Sequence, residues 1–228
     1  NMFGMMGKIT VGVIISTYNN PRWLEKTLWS YEAQTVLPDE IIIADDGSGE
    51  ETRTLVESFA TSLPVRHVWH EDNGFRKTRI LNEALRAATA DYIIFTDQDC
   101  VARPDFIETH LRFAEHGYIL SGGYFKLPMD ISEGITREDI MSAQAFNLGW
   151  LTGKGLKRNF KCTKLVNNGL LGMVCYAGLF VSAVVRFLKA GRANPLAGAY
   201  GFAVLAYVVN NMFSFQQALS AVTVFMVL

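Results

Sequence analysis

Hydrophobic and polar positions follow two rhythms over the first hundred residues. Val11-Gly-Val-Ile-Ile is an apolar run that breaks into Ser16-Thr17-Tyr18-Asn19-Asn20-Pro21, and Glu40-Ile-Ile-Ile-Ala breaks into Asp45-Asp46-Gly47-Ser48. Val65 to Trp69 is a shorter run, and Asp91-Tyr-Ile-Ile-Phe-Thr leads into Asp97-Gln98-Asp99-Cys100. Such short runs, closed by Asn, Asp, Gly and Pro, predict strands. Between them apolar residues recur at helical spacing: Trp23, Leu24, Leu28 and Tyr31 within 23–35, Leu55, Phe59 and Ala60 within 50–60, and a third helix over 77–88. Pro21 suits the first turn of the first helix. Strict alternation of strand and helix predicts an α/β fold, a mostly parallel sheet with helices on both faces.

Three of these strands end in polar residues, so one rim of the sheet collects them. In open α/β sheets that carboxyl rim is where ligands sit. On an extended segment Asp97 and Asp99 point the same way, and two adjacent carboxylates suit a divalent cation or the hydroxyls of a polar ligand. Singly, each candidate also has a structural role. Asp97 and Asp99 serve as solvated acids at a strand end, Tyr18 as a core aromatic, and Thr17 as a capping neighbour of Pro21. Asp45 and Asp46 suit a turn before Gly47, and Arg76 and Arg79 a solvated helix face. His67, His70, His110 and His116 show no ligand-like spacing and are assigned no site.

In combination the motifs carry a resemblance. Ile-Ile-Ser-Thr-Tyr-Asn-Asn (14–20), Ile-Ile-Ile-Ala-Asp-Asp-Gly-Ser (41–48), Gly74-Phe-Arg-Lys-Thr-Arg-Ile-Leu-Asn82 and Phe95-Thr-Asp-Gln-Asp-Cys100 resemble, in order and spacing, four motifs of the inverting family-two glycosyltransferases of GT-A fold. The Gly-Phe-Arg stretch and Ser121-Gly-Gly-Tyr-Phe-Lys-Leu-Pro128 resemble the branch of chondroitin-polymerase-type and capsule or lipopolysaccharide sugar transferases, over residues 8–160. The resemblance implies a nucleotide-sugar donor, UDP-linked. It places Thr17 and Tyr18 at the base and Asp45 or Asp46 at the base edge. Arg76 and Arg79 fall at the diphosphate, where guanidinium pairs with phosphate oxygens. Asp97 falls at the ribose and metal, and Asp99 becomes a ligand of Mg²⁺ or Mn²⁺. The implied acceptor is a cell-envelope polysaccharide or lipid-linked glycan; no nucleic-acid partner is expected.

Composition then divides the chain. Residues 1–164 hold 22 acidic against 18 basic residues, whereas residues 165–228 hold three basic residues and no acid, Asp139 being the last. Gly169 to Val185 is a run of 17 uncharged residues, roughly 26 Å as a helix, enough for a bilayer core. Arg186 to Arg192 is a basic loop, and Pro195 to Val209 a second apolar run. The expectation is a GT-A nucleotide-sugar-binding domain over 1–126, a helical basic linker over 127–164 and an α-helical membrane hairpin over 165–228, at the cytoplasmic face of a bacterial inner membrane. The tail weakly resembles the last spans of O-antigen ligases and polymerases. The basic cluster Lys154 to Lys164 and the basic loop both ask for the cytosolic side, which one crossing between them cannot satisfy. A surface-bound segment, or a chain joining pieces of two proteins, resolves that conflict, and the non-Met start and apolar end fit a fragment. The N-terminus is too short for a signal peptide before the first strand. Three cysteines, Cys100, Cys162 and Cys175, imply a reducing compartment without a disulfide framework.

The branch resembled here also carries an acceptor-side Trp-Gly and Glu-Asp motif whose Asp is the general base. With no acid after Asp139, this chain has no residue that matches it, and inverting transfer needs a carboxylate to take the acceptor's proton. Two further expectations therefore stand beside glycosyl transfer: a non-catalytic nucleotide-sugar-binding membrane module, or a piece of a polytopic ligase or polymerase joined to a donor domain.

Overall fold

The computed structural model describes residues 9–115, 118–157, Cys162 and 224–227. The chain begins with β1 (Val11–Thr17), α1 (Pro21–Glu32), β2 (Glu40–Asp45), α2 (Glu50–Phe59), β3 (Val65–Trp69), α3 (Lys77–Ala87) and β4 (Tyr92–Asp97). The four strands form one parallel sheet in the order β3-β2-β1-β4. Alternate residues of β1 and β2 enter opposite layers, as the pleat requires. Val13, Ile15, Ile41 and Ile43 pack with Leu24, Leu28 and Tyr31 of α1 and Val56 of α2. Ile14, Ile42 and Ala44 pack on the other face with Ile80 and Ala84 of α3. Each fully buried Ile of these strands contributes about 1.5–3 kcal/mol, which is why the central strands are almost unbroken Val and Ile.

The order 3-2-1-4 reverses direction between β1 and β4. At such a switch point the loops leaving two neighbouring strands diverge and open a crevice beyond their carboxyl ends. Ser16 is paired in register with Asp97 there, and Thr17 with Asp45.

Beyond the sheet come β5 (Cys100–Ala102), α4 (Phe106–Phe113), β6 (Gly123–Lys126), α5 (Met129–Gly134), α6 (Arg137–Met141), a 3₁₀ turn (Gln144–Phe146) and α7 (Leu148–Gly153). A last strand, β7 (Val224–Val227), lies between β5 and β6, antiparallel to the first and parallel to the second. Of the segment 127–164, expected as a helical basic linker, the described residues 127–157 pack onto the body. Ile131, Ile135, Ile140 and Leu151 share a core with Val101 and Phe125. The buried Lys26 ammonium of α1 donates to the carbonyls of Ser132 (2.7 Å), Glu133 (3.0 Å) and Ile135 (2.8 Å). It thereby adds a donor for the carbonyls at the end of α5, where the Ser132 carbonyl otherwise accepts the Ile135 N–H at 3.4 Å. The physical reason is that this segment's apolar residues need a surface to bury against, and β5 and β6 provide one.

The expected membrane hairpin lies outside the described residues except at its end, where Val224–Val227 is a strand and not part of a helix. Among the described residues no helix is long and apolar enough to cross a membrane. Cys100 and Cys162 are buried, and burial beside Asp99 pushes the Cys100 thiol up to about 12.

Candidate functional site

The crevice at the switch point is a cavity of about 380 Å³. Its walls come from the ends of β1 (Ser16, Thr17, Tyr18), β2 (Ala44, Asp46) and β4 (Asp97, Gln98, Asp99), and from Gly74, Phe75, Lys77 and Ile80 around the start of α3. Of the expected site residues, Thr17, Tyr18, Asp46, Asp97 and Asp99 meet here, whereas Asp45, Arg76 and Arg79 do not line it.

Asp45 is fully buried beneath the rim. One carboxylate oxygen accepts the Ser48 backbone N–H at 2.8 Å and the other faces His67 Nε2 at 2.8 Å, so it braces the turn. Asp46 is buried and holds two donors, His70 Nε2 at 2.7 Å and the Arg76 backbone N–H at 2.9 Å. A carboxylate only accepts, so the shared proton of each His–Asp contact sits on Nε2. Both histidines, expected to have no site role, therefore orient the acidic pair. No sequence spacing reveals this, because β3 brings them alongside from more than twenty residues away.

The loop 70–75 forms one wall. Gly47, with φ of +100°, brings the β2 turn against it so closely that a Cβ there would lie 2.5 Å from Asp72 Cα. Asp72 in turn accepts the Tyr18 hydroxyl at 3.0 Å. That bond and the Asp72 charge raise the Tyr18 phenol above its ordinary range, so it stays a donor. Arg76 donates from one guanidinium nitrogen to the Glu71 carbonyl at 2.7 Å, and Arg79 pairs with Glu83 one turn on at 3.1 Å. The cation that does reach the cavity is Lys77, whose Nζ lies 2.5 Å from Asp97 Oδ1. In the motif Gly74-Phe-Arg-Lys-Thr-Arg it stands between the two expected arginines. The helix starts at Lys77, which turns that residue inward.

On the opposite wall Gln98 links β1 to the β4 turn: its side-chain oxygen accepts the Thr17 hydroxyl at 2.5 Å and the Tyr18 N–H at 3.1 Å. β4 ends at Asp97, so Gln98 and Asp99 lie in a turn and all three line the cavity, instead of only the alternate pair expected from an extended segment. Ser16 Oγ donates to Asp97 at 2.5 Å. Burial opposes ionisation of Asp97, but the bonds from Lys77 and Ser16 prevail and hold its carboxyl below the usual range. Asp99 goes the other way: burial, reinforced by the Asp97 charge, pushes it up. Its nearest side-chain donor is the weak Cys100 thiol at 3.7 Å.

This donor set fits a hard divalent cation. Two carboxylates, Asp97 and Asp99, face one cavity, and oxygen donors of this kind suit a hard ion. Among the described residues no group of three or more His, Cys, Asp or Glu could hold a metal. Among the described side chains Asp97 and Asp99 are the pair that would hold such an ion.

The region that builds this cavity resembles known proteins. The sequence profile of "Glycosyl transferase family 2" matches residues 12–173. Validoxylamine A glucosyltransferase of Streptomyces hygroscopicus subsp. limoneus is 34% identical over 103 residues, 44% of this chain and 23% of that protein. Hyaluronan synthase of Pasteurella multocida is 32% identical over 104 residues, 45% of this chain and 11% of that one. Chondroitin synthase of Escherichia coli is 31% identical over 102 residues, 44% of this chain and 15% of that one. The chain thus spans less than a quarter of the length of these relatives. A structure of S. aureus TarS 1–349 in complex with UDP-GlcNAc aligns with a TM-score of 0.49 at 23% identity, covering 53% of this chain and 36% of that one, too loosely to carry an assignment.

Proposed function

Because the chain belongs to glycosyl transferase family 2, we propose that the switch-point cavity binds the donor of a sugar transfer, a nucleotide-sugar carrying UDP. The observation that carries this reading is the convergence of Asp97, Asp99, Lys77, Thr17, Tyr18 and Asp46 on one cavity. A nucleoside diphosphate needs partners for a planar base with hydrogen-bonding edges and for a charged diphosphate. Asp46, fixed by His70 and Arg76, offers an acceptor for a base N–H, and Tyr18 a flat face beside it. Lys77 supplies positive charge for the phosphate oxygens. Asp97 and Asp99 are the residues that would hold Mg²⁺ or Mn²⁺, which when bound supplies charge stabilisation for the departing diphosphate.

The acceptor side is the open part of the proposal. The chain carries no acid beyond Asp139, and no carboxylate in it matches the expected base, so donor binding without transfer is the behaviour we expect of this chain by itself. General-base assistance is worth roughly 10²- to 10⁴-fold. The envelope polysaccharide acceptor remains our reading of the motif pattern, and the hyaluronan and chondroitin synthases among the relatives support it.

Calorimetry with UDP tests the donor reading. Binding in the presence of Mn²⁺ that falls at least tenfold with a chelator or in Asp99→Ala is the expected result. Equal affinity for UDP and an unrelated anion such as sulfate would remove the reading.

A further inference from the structure

Lys77 opens α3 and spans the crevice to β4, placing its ammonium 2.5 Å from Asp97 Oδ1. The same oxygen accepts the Ser16 hydroxyl at 2.5 Å. One partner is fixed by the strand that carries it, while the other hangs on a flexible four-carbon stem. The ion pair is partly open, the side chains being 38% and 53% exposed, and open pairs are worth little and exchange readily. Asp97 and Asp99 line the same cavity as this lysine. An ammonium and a divalent cation cannot both sit on that oxygen without close like-charge repulsion.

Resting on the donor reading above, we propose that Lys77 is an exchangeable partner of Asp97. In the donor-free protein it occupies the cation's place on the carboxylate, and in the loaded protein it releases Asp97 to the divalent cation and turns to the donor's diphosphate. Lys77 is thus assigned two roles, and it is placed for them where its neighbours are not: Arg76, which donates to the Glu71 carbonyl, and Arg79, which pairs with Glu83, do not line the cavity. The exchange also links the two ligands. Cation binding alone must displace an existing ion pair, whereas cation and diphosphate together leave every charge with a partner.

The test is a Mn²⁺ titration of the full chain without nucleotide, read by electron paramagnetic resonance of free Mn²⁺, together with UDP calorimetry in chelator. Lys77→Met should bind Mn²⁺ about threefold to fivefold tighter than the parent chain, as loss of a partly exposed competing pair allows. The same variant should bind UDP about tenfold more weakly in chelator, having lost a charge-assisted contact. Lys77→Arg should stay within about twofold of the parent in both, because the charge remains. Mn²⁺ affinity that is unchanged or weaker in Lys77→Met, or Mn²⁺ bound by neither protein, overturns the exchange. If Mn²⁺ tightens but neither protein binds UDP, the donor reading and the phosphate role fall together while the competition on Asp97 stands. If the parent binds UDP and Mn²⁺ affinity does not move, the donor reading stands and the exchange fails.

Discussion

His70 should control how well the cavity grips a nucleobase, although it does not line the cavity. Asp46 is 6% exposed and its two oxygens are each fixed by one donor, the His70 imidazole at 2.7 Å and the Arg76 N–H at 2.9 Å. Replacing His70 by Ala removes the first and leaves that oxygen to rotate or to recruit water. A hydrogen bond to a charged group contributes about 1.5–3 kcal/mol. The Arg76 N–H still anchors the other oxygen, so the loss in positioning belongs at the lower end, and about 1.4 kcal/mol is tenfold in Kd. We therefore expect His70→Ala to bind UDP about tenfold more weakly, and His70→Gln, which keeps an N–H donor of similar reach, to recover most of it. The assay is calorimetry on protein shown by circular dichroism to be folded, with inorganic pyrophosphate as a second probe. The defect should appear with UDP and not with pyrophosphate, because Asp46 serves the base end. A folded His70→Ala that binds UDP like the parent, or that loses UDP and pyrophosphate equally, would refute the reasoning.

Two other perturbations test the frame that holds the site. Gly47→Ala forces a left-handed backbone on a residue whose Cβ would meet Asp72 backbone atoms at 2.5–2.7 Å, so it should lower stability by more than about 1 kcal/mol; an unchanged urea midpoint would contradict the close approach of the two loops. His110 is buried against Phe106, bonds the Tyr92 hydroxyl at 3.0 Å, and is held down to about 4 by burial. The unfolded chain takes up that proton near its ordinary value and the folded chain does not, so stability should fall as pH drops from about 6.5 towards 4, by at most about 3 kcal/mol from this residue. His110→Phe should flatten that part of the stability profile, and an unaltered slope would show that other groups carry it.

Much of the donor half was legible because its signals are local. The Ile runs of β1 and β2, the polar breaks after them and the helical spacing of Leu24, Leu28 and Tyr31 each predict an element from a few neighbouring residues. The alternation of those elements implies the rim on which Thr17, Tyr18, Asp46, Asp97 and Asp99 meet. What escaped depends on contacts distant in sequence. His67 and His70 meet Asp45 and Asp46 only because β3 lies beside β2. Lys77 rather than Arg79 faces the cavity because the end of β4 lies beside the first residue of α3, and a helix expected from residue 77 does not by itself tell which of its residues that strand end meets. The fate of Arg79 could have been read, since Glu83 follows at the i+4 spacing that favours pairing on a helix. The segment 127–157 forms helices of only five or six residues, too short for helical spacing to show, and its packing becomes visible only once β5 and β6 offer Val101 and Phe125 as a surface.

The claim that unites the site is that one nucleoside diphosphate spans the crevice from Asp46 to Asp99, and a crystal structure of the chain soaked with UDP and Mn²⁺ tests it most directly. The account requires the uracil edge against Asp46 with Tyr18 beside it, the cation on Asp97 and Asp99, and the Lys77 ammonium on a phosphate oxygen. Nucleotide bound elsewhere, or in this cavity with its base directed away from Asp46, would contradict it.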